Sequence, residues 1–323
     1  MRGAHTIPAM REQDIMAVIT SQRRLTDPRV LLGPGDDLAA LLLQRQGGGG
    51  ALLLGVDQVI DGLHVHAHAV SWDRIGRKAV HRSLSDVAAM AGRPLATLAA
   101  VVVPTSAEVA EIEALCSGLN AAATAWEAPL VGGDVAIQRD AGGPLTISVT
   151  VLATADEALG PVSRGGGRAG DVLLVTGHLG GSLKPDGTGH HLDFIPRVDE
   201  AHAAADLLGE SLHAMIDISD GLGRDAARLA AASGLQAQIN MARLPLRAGA
   251  GAMDALQDGE DYELLMAVDA RATVPASLEG RHGRCPLTVI GSLGTWEAST
   301  HRVVVTEPGG TQLDGSKFGW DHG

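Results

Sequence analysis

The chain has 323 residues, 45% of them hydrophobic and only 2% aromatic, and a net charge of −13. That length suits two globular domains, and the composition excludes a disordered chain and demands cores built from Ala, Leu, Val and Ile. The acidic balance argues against nucleic-acid or anionic-membrane partners, which need clustered Lys and Arg.

In chain order, residues 10–25 read as an amphipathic helix. Residues 38–43 and 51–56 read as apolar strands, joined by a flexible loop over Gln44–Gly50 with its run of glycines. Residues 75–91 have helical spacing and stop at Gly92–Pro94. A strand over 95–103, a helix over about 106–125 and strands over 129–132 and 144–154 follow. The polar, Gly-rich stretch 155–171 marks the expected boundary between a first domain, 1–155, and a second, 156–323. In the second, 171–177, 214–219, 235–240, 262–268 and 287–293 read as strands, and 221–233 as a helix closed by Gly234. This alternation predicts α/β layers. The N-terminus has no apolar run of signal-peptide length, and the longest apolar stretch, Leu95–Val103, is far short of a membrane span. Cys116 and Cys285 stand alone, which excludes a zinc pattern and a disulfide framework, leaves one bridge open, and makes a reduced, cytoplasmic setting the expectation.

The placement of aspartates is the informative feature. Asp36 and Asp37 follow a tight Gly-Pro-Gly turn, Asp57 and Asp134 each close an apolar run, Asp86 sits inside an apolar helix, and Asp217 and Asp220 bracket Ser219 where a strand enters a helix. Singly, each has a plain structural use: Asp220 as a helix cap, Asp86 as an ion-pair partner of Lys78, the others as turn formers. Together they predict carboxylates converging at one rim of a sheet. Crowded carboxylates repel, and burial raises their pKa values. Mg²⁺ relieves both penalties and prefers oxygen ligands. With such ions bound the pocket becomes a cradle for polyphosphate, to which Gly133, Gly165–Gly167 and Gly177–Gly181 offer backbone N–H groups. The chain lacks GxxxxGK[ST], the protein-kinase signatures, a dinucleotide GxGxxG and the hydrolase GxSxG.

The segments GPGDD (33–37), SLSDVAAMAGRP (83–94), LVGGD (130–134), IDISDGLGRD (216–225), DGEDYEL (258–264) and the ending GWDH (319–322) resemble thiamine-monophosphate kinases, in that family's order and spacing. SDG and GGD recur across a wider superfamily that includes aminoimidazole ribonucleotide synthetase, selenophosphate synthetase and a hydrogenase-maturation enzyme; GEDYEL and the aromatic-Asp-His ending select the thiamine kinase. The resemblance implies two α/β domains of the aminoimidazole ribonucleotide synthetase-like fold, the N-terminal sheet forming a barrel with a second subunit in a homodimer. It implies a site between the domains and near the dimer interface. There Asp36, Asp37, Asp57, Asp86, Asp134, Asp217 and Asp220 would hold several Mg²⁺ ions, Gly133, Asp134, Arg164 and Ser219 would meet ATP, and His64, Glu260 and Trp320 would meet thiamine monophosphate.

The sequence departs from the family pattern at Gly55-Val56 where Ser-Thr is usual, at Val135 where Thr is usual, at Ser83, Asp258 and Gly323, and in a shortened 182–197 segment. The implied reaction is direct in-line transfer of the ATP γ-phosphoryl to thiamine monophosphate, giving thiamine pyrophosphate, with no covalent nucleophile. Two alternatives stay open: another ATP-dependent superfamily member with a different acceptor, and a catalytically weak nucleotide- or thiamine-binding protein.

Overall fold

The computed structural model describes residues 27–33, 35–45, 48–139, 142–157 and 159–320; the helix expected over 10–25 lies outside them. The N-terminal sheet contains β1 (Val30–Leu32), β2 (Ala39–Arg45), β3 (Gly48–Ile60), β4 (Arg93–Val103), β5 (Leu130–Ile137) and β6 (Thr146–Thr154), in the order β1-β2-β3-β6-β4-β5. Only β4 and β5 run parallel, which requires the crossover helix α2 (Val109–Ala125) between them. Helix α1 (Trp72–Ala89) connects β3 to β4 and packs on the same face. A Cβ on Gly118 would lie 1.9 Å from the Asp73 carbonyl oxygen, and one on Gly76 2.5 Å from that of Leu115, so the α1–α2 crossing tolerates no side chain at either point.

The C-terminal sheet is built from β7 (Val172–Thr176), β8 (Leu212–Asp217), β9 (Leu235–Asn240), β10 (Leu264–Val268), β11 (Ser277–Gly280), β12 (Gly283–Thr295), β13 (Val303–Thr306) and β14 (Gln312–Asp314). Its order is β14-β13-β9-β12-β7-β10-β8, with β11 added to β12. The period of two along each strand divides its side chains between two cores. Leu264, Met266 and Val268 join a core shared with α1, α2 and α4 (Val198–Leu208), whereas Leu265 and Ala267 join one beneath α5 (Leu222–Ala232) and α6 (Ala252–Gln257). A four-residue helix, α3 (His190–Asp193), is what stands in the shortened 182–197 region.

Several expectations are corrected. The glycine run is no loop: Gly48–Gly50 lie in β3 and the ladder reaches the Arg45–Gly48 pair. Asp57 and Asp134 are not at strand ends, because β3 continues to Ile60 and β5 to Ile137. Both cysteines are free thiols. Missing from the sequence reading are β1, β11, β13, β14, α3, α4 and α6, all shorter than twelve residues. No helix among the described residues is long and apolar enough to cross a membrane.

Candidate active site

Two adjoining clefts are lined by residues from both the N-terminal and the C-terminal regions. The first, about 1680 Å³, is lined by Asp36, Asp37, Asp57, Asp86, Arg164 and Asp217 among others. The second, about 850 Å³, is lined by His64, His191, Gly259, Glu260 and Trp320 among others. Arg82, Ser219, Asp220 and Tyr262 line both and form their common wall.

In the first cleft Asp37 arrives from the turn before β2, Asp86 from α1 and Asp217 from the last residue of β8. One oxygen from each lies within 4.8 Å of the others. Burial, then the neighbouring Asp217, Asp57 and Asp37 charges, pushes Asp86 far up from the carboxylate range. Asp217 is pushed up to about 8, by burial first and by Asp37 second, against the Ser85 hydrogen bond. Arg164 spans the mouth, donating from its side chain to Asp37 and from its backbone N–H to Asp36 at 3.4 Å. Arg164 alone does not balance Asp36, Asp37, Asp86 and Asp217, and of the other arginines lining the cleft Arg82 pairs with Asp57 and Arg228 with Asp220 and Asp225. The oxygen-only donors, their convergence and the raised pKa values of Asp86 and Asp217 all fit a hard divalent cation.

The other predicted ligands are engaged differently. Asp57 receives two N–H groups from Arg82, at 2.7 and 3.0 Å, and Asp220 pairs with Arg228. Asp220 is not the helix cap, since Gly221 occupies that position and Asp225 accepts from the Asp220 N–H at 2.9 Å. Asp86 does not pair with Lys78, two helical turns away; Lys78 pairs with Glu260 at 2.7 Å. Gly133 and Asp134 lie on exposed β5, paired with Ala99 and Ala100 of β4. Three strand spacings, on the order of 14 Å, separate β5 from β3 and its Asp57, and Asp134 is not in the converged triad of this chain.

The second cleft is organised by segment 258–263. Glu260 and Tyr262 have φ values of 64° and 52°, left-handed conformations held by N–H bonds from Glu260 to Ser219 (2.6 Å) and from Tyr262 to Ile218 (2.8 Å). This strained backbone aims both side chains at the cleft and Asp261 the other way, onto Arg247 at 2.8 Å. Burial raises the Glu260 pKa, but the Lys78 ammonium, the His191 hydrogen bond and the Arg82 guanidinium outweigh it and hold the carboxyl well below its ordinary range. Lys78 is fully buried and donates to Glu260 and to the His64 carbonyl (2.8 Å), and its Nζ lies 2.8 Å from His191 Nδ1. Burial lowers it to about 8 despite Glu260. His64 accepts the Ile60 N–H at 3.0 Å, and Trp320 is anchored by its backbone N–H to the Asp220 carbonyl at 2.9 Å.

Arg82 and Ser85 escaped the sequence reading, and Lys78 entered it only as an ion-pair partner for Asp86 rather than for Glu260. Their signal was available: Lys78, Arg82 and Asp86 recur every fourth residue on an otherwise apolar helix face, so three charges point the same way.

Comparison with known proteins agrees with this architecture. Residues 35–155 match the AIR synthase related protein N-terminal domain, and residues 168–295 its C-terminal domain. The chain therefore belongs to the AIR synthase related class. It is 32% identical to the thiamine-monophosphate kinase of Rhodopirellula baltica over 88% of this chain and 92% of that one, and 29% identical to that of Caulobacter vibrioides over 84% and 80%. The solved structure of AaThiL complexed with AMPPCP and TMP covers 100% of this chain and 99% of its own at 26% identity and a TM-score of 0.78. The thiamine-monophosphate kinase structure from Stenotrophomonas maltophilia covers 92% and 95%, at 27% identity and a TM-score of 0.64. Within its class the chain belongs to the thiamine-monophosphate kinase family.

Proposed function

We propose that this chain uses ATP to phosphorylate thiamine monophosphate in the cytoplasm, with ATP phosphates in the aspartate cleft and the acceptor in the cleft of Glu260 and Trp320. The observation that carries this reading is the common wall of Arg82, Ser219, Asp220 and Tyr262, which lets ligands in the two clefts touch end to end. Family membership and the relative complexed with AMPPCP and TMP support the same substrates.

In this reading an oxygen of the acceptor phosphate attacks the γ-phosphorus as the bond to the β-phosphate oxygen breaks, and ADP leaves. The acceptor is already an anion at neutral pH, so no general base is required, and catalysis rests on alignment and charge neutralisation. Mg²⁺ held by Asp37, Asp86 and Asp217 would supply that neutralisation. The chain's own part is to hold the reactants: Ser219 and Arg164 at the phosphates, Trp320 as a flat face for the thiamine rings, and His64 and Glu260 lining their pocket.

We further propose a homodimer through β5. Val131, Val135 and Ile137 are 63%, 70% and 69% exposed on an edge strand. An apolar edge left open invites pairing with another chain. A second copy there would cover these residues and carry Gly133 and Asp134 toward an interface, which supports a site shared between subunits.

A coupled ADP-release assay with and without thiamine monophosphate tests the reading. Acceptor-dependent release of ADP with formation of thiamine pyrophosphate is expected. Release with a different acceptor only would favour another superfamily activity, and nucleotide binding without release a binding protein.

A further inference from the structure

Arg82 lies between the two clefts, and no role for it follows from the motifs. Its side chain is 10% exposed and lines both clefts. Nε donates to Asp57 Oδ2 at 2.7 Å, Nη2 to Asp57 Oδ1 at 3.0 Å and Nη1 to Glu260 Oε1 at 3.2 Å. A guanidinium carries five N–H groups, so one on Nη1 and one on Nη2 remain. Asp57 is correspondingly occupied. Both its oxygens accept from Arg82, and Oδ1 also accepts the Gln58 N–H at 2.9 Å. It is absent from the converged triad of Asp37, Asp86 and Asp217.

The lining of the second cleft sets the problem that Arg82 solves. Asp220, Asp258 and Glu260 bring three carboxylates, and among the described lining residues Arg82 is the only Arg or Lys. A phosphate monoester entering there is a dianion and needs a cation at the end that faces ATP. The paired N–H fork of an arginine suits phosphate oxygens, and its pinning by two carboxylates fixes its direction beforehand.

We propose that Arg82 binds the phosphate group of the acceptor where the two clefts meet, and that Asp57 is the positioning residue that aims Arg82 rather than a metal ligand. This rests on the kinase reading above, which assigns the second cleft to a phosphorylated acceptor.

Calorimetry without ATP tests it, using thiamine monophosphate and phosphate-free thiamine as probes on the full chain. Arg82→Met should weaken thiamine monophosphate by about tenfold or more, the scale of a charge-assisted hydrogen bond, and change thiamine by less than about twofold. Arg82→Lys, which keeps a charge but not the fork and guards against misfolding of the first variant, should weaken thiamine monophosphate several-fold. Asp57→Asn should also weaken it while leaving Mn²⁺ affinity within about twofold of wild type. Unchanged binding of thiamine monophosphate in both Arg82 variants, equal losses for the two probes, or a loss of Mn²⁺ affinity in Asp57→Asn matching that of Asp86→Asn would overturn the proposal while leaving the kinase reading intact. A wild-type protein that binds neither probe would overturn both.

Discussion

The Ser85 hydroxyl donates to Asp217 at 2.7 Å, joining helix α1 to the end of β8 across 132 residues of sequence. Both groups are buried. The bond fixes where α1 sits against the C-terminal sheet, and so brings Asp86, the next residue, into range of Asp217. The acidic triad is thus a product of α1 docking on the C-terminal sheet rather than of any local motif.

The first prediction follows from that docking. Asp86→Asn removes one of three crowded carboxylates without removing Ser85, so the metal-free variant should melt no lower than wild type. Ligands that bind only the native state raise its stability, by about 2.7 kcal/mol at a hundred times Kd. Mg²⁺ with an ATP analogue should therefore raise the melting temperature of wild type but not of Asp86→Asn, and turnover should fall by about two orders of magnitude or more. Scanning fluorimetry beside a rate measurement checks both; a variant that melts early without metal would mean that Asp86 serves the fold.

The same cluster marks the limit of what sequence shows. Asp37, Asp86 and Asp217 stand in motifs, and the strand and helix carrying Asp217 and Asp86 are legible from periodicity. What was not legible is pairing. Asp57 and Asp134 look alike as aspartates closing apolar runs, yet Asp57 meets Arg82 from α1 while Asp134 sits on an outer edge. Lys78 was a natural partner for Asp86 by helix periodicity, and only the left-handed turn at Glu260 reveals the competing carboxylate. Spacing identifies which residues share a helix face; it does not say what the opposite element presents to them.

Trp320 should matter for the acceptor and not for the nucleotide. Its indole lines the second cleft and is absent from the lining of the first. Stacking on a cationic ring is worth ~1–2 kcal/mol when desolvated, so Trp320→Ala should raise KM for thiamine monophosphate about tenfold and leave KM for ATP within about twofold. Steady-state kinetics against each substrate separately decides it; equal losses would place the tail outside the acceptor pocket.

The exposed edge predicts assembly. Replacing Val135 and Ile137 together by Asp puts charges on β5, where both side chains are more than two-thirds exposed and so contribute little to the monomer core. The double variant should keep its circular dichroism, appear as a monomer in light scattering at micromolar concentration where wild type is a dimer, and lose activity because each site then lacks its neighbour's Asp134. A wild-type monomer, or a fully active monomeric variant, would refute the shared site.

The last prediction concerns acid stability and comes from His81, which is 5% exposed on α1. Its Nδ1 lies 2.9 Å from the Phe194 carbonyl, which can only accept, so Nδ1 carries the proton. Nε2 must then be the acceptor for the Trp126 indole N–H at 3.3 Å. Protonating the ring would set two donors against each other. Burial lowers the His81 pKa to about 4; the Phe194 hydrogen bond opposes this, and the Arg77 and His282 charges add to it. Because the folded value lies below the unfolded one, near 6.5, the unfolded chain binds more protons between those values, and native stability is lost as pH falls through that window. The full difference is on the order of 3 kcal/mol. His81→Gln should be less stable than wild type at pH 7 but lose less stability on going to pH 4.5, so that the two curves converge. Urea denaturation followed by tryptophan fluorescence measures both curves, and the other buried histidines cancel in the comparison because they are common to the two proteins. Parallel curves would show that His81 does not carry the acid sensitivity.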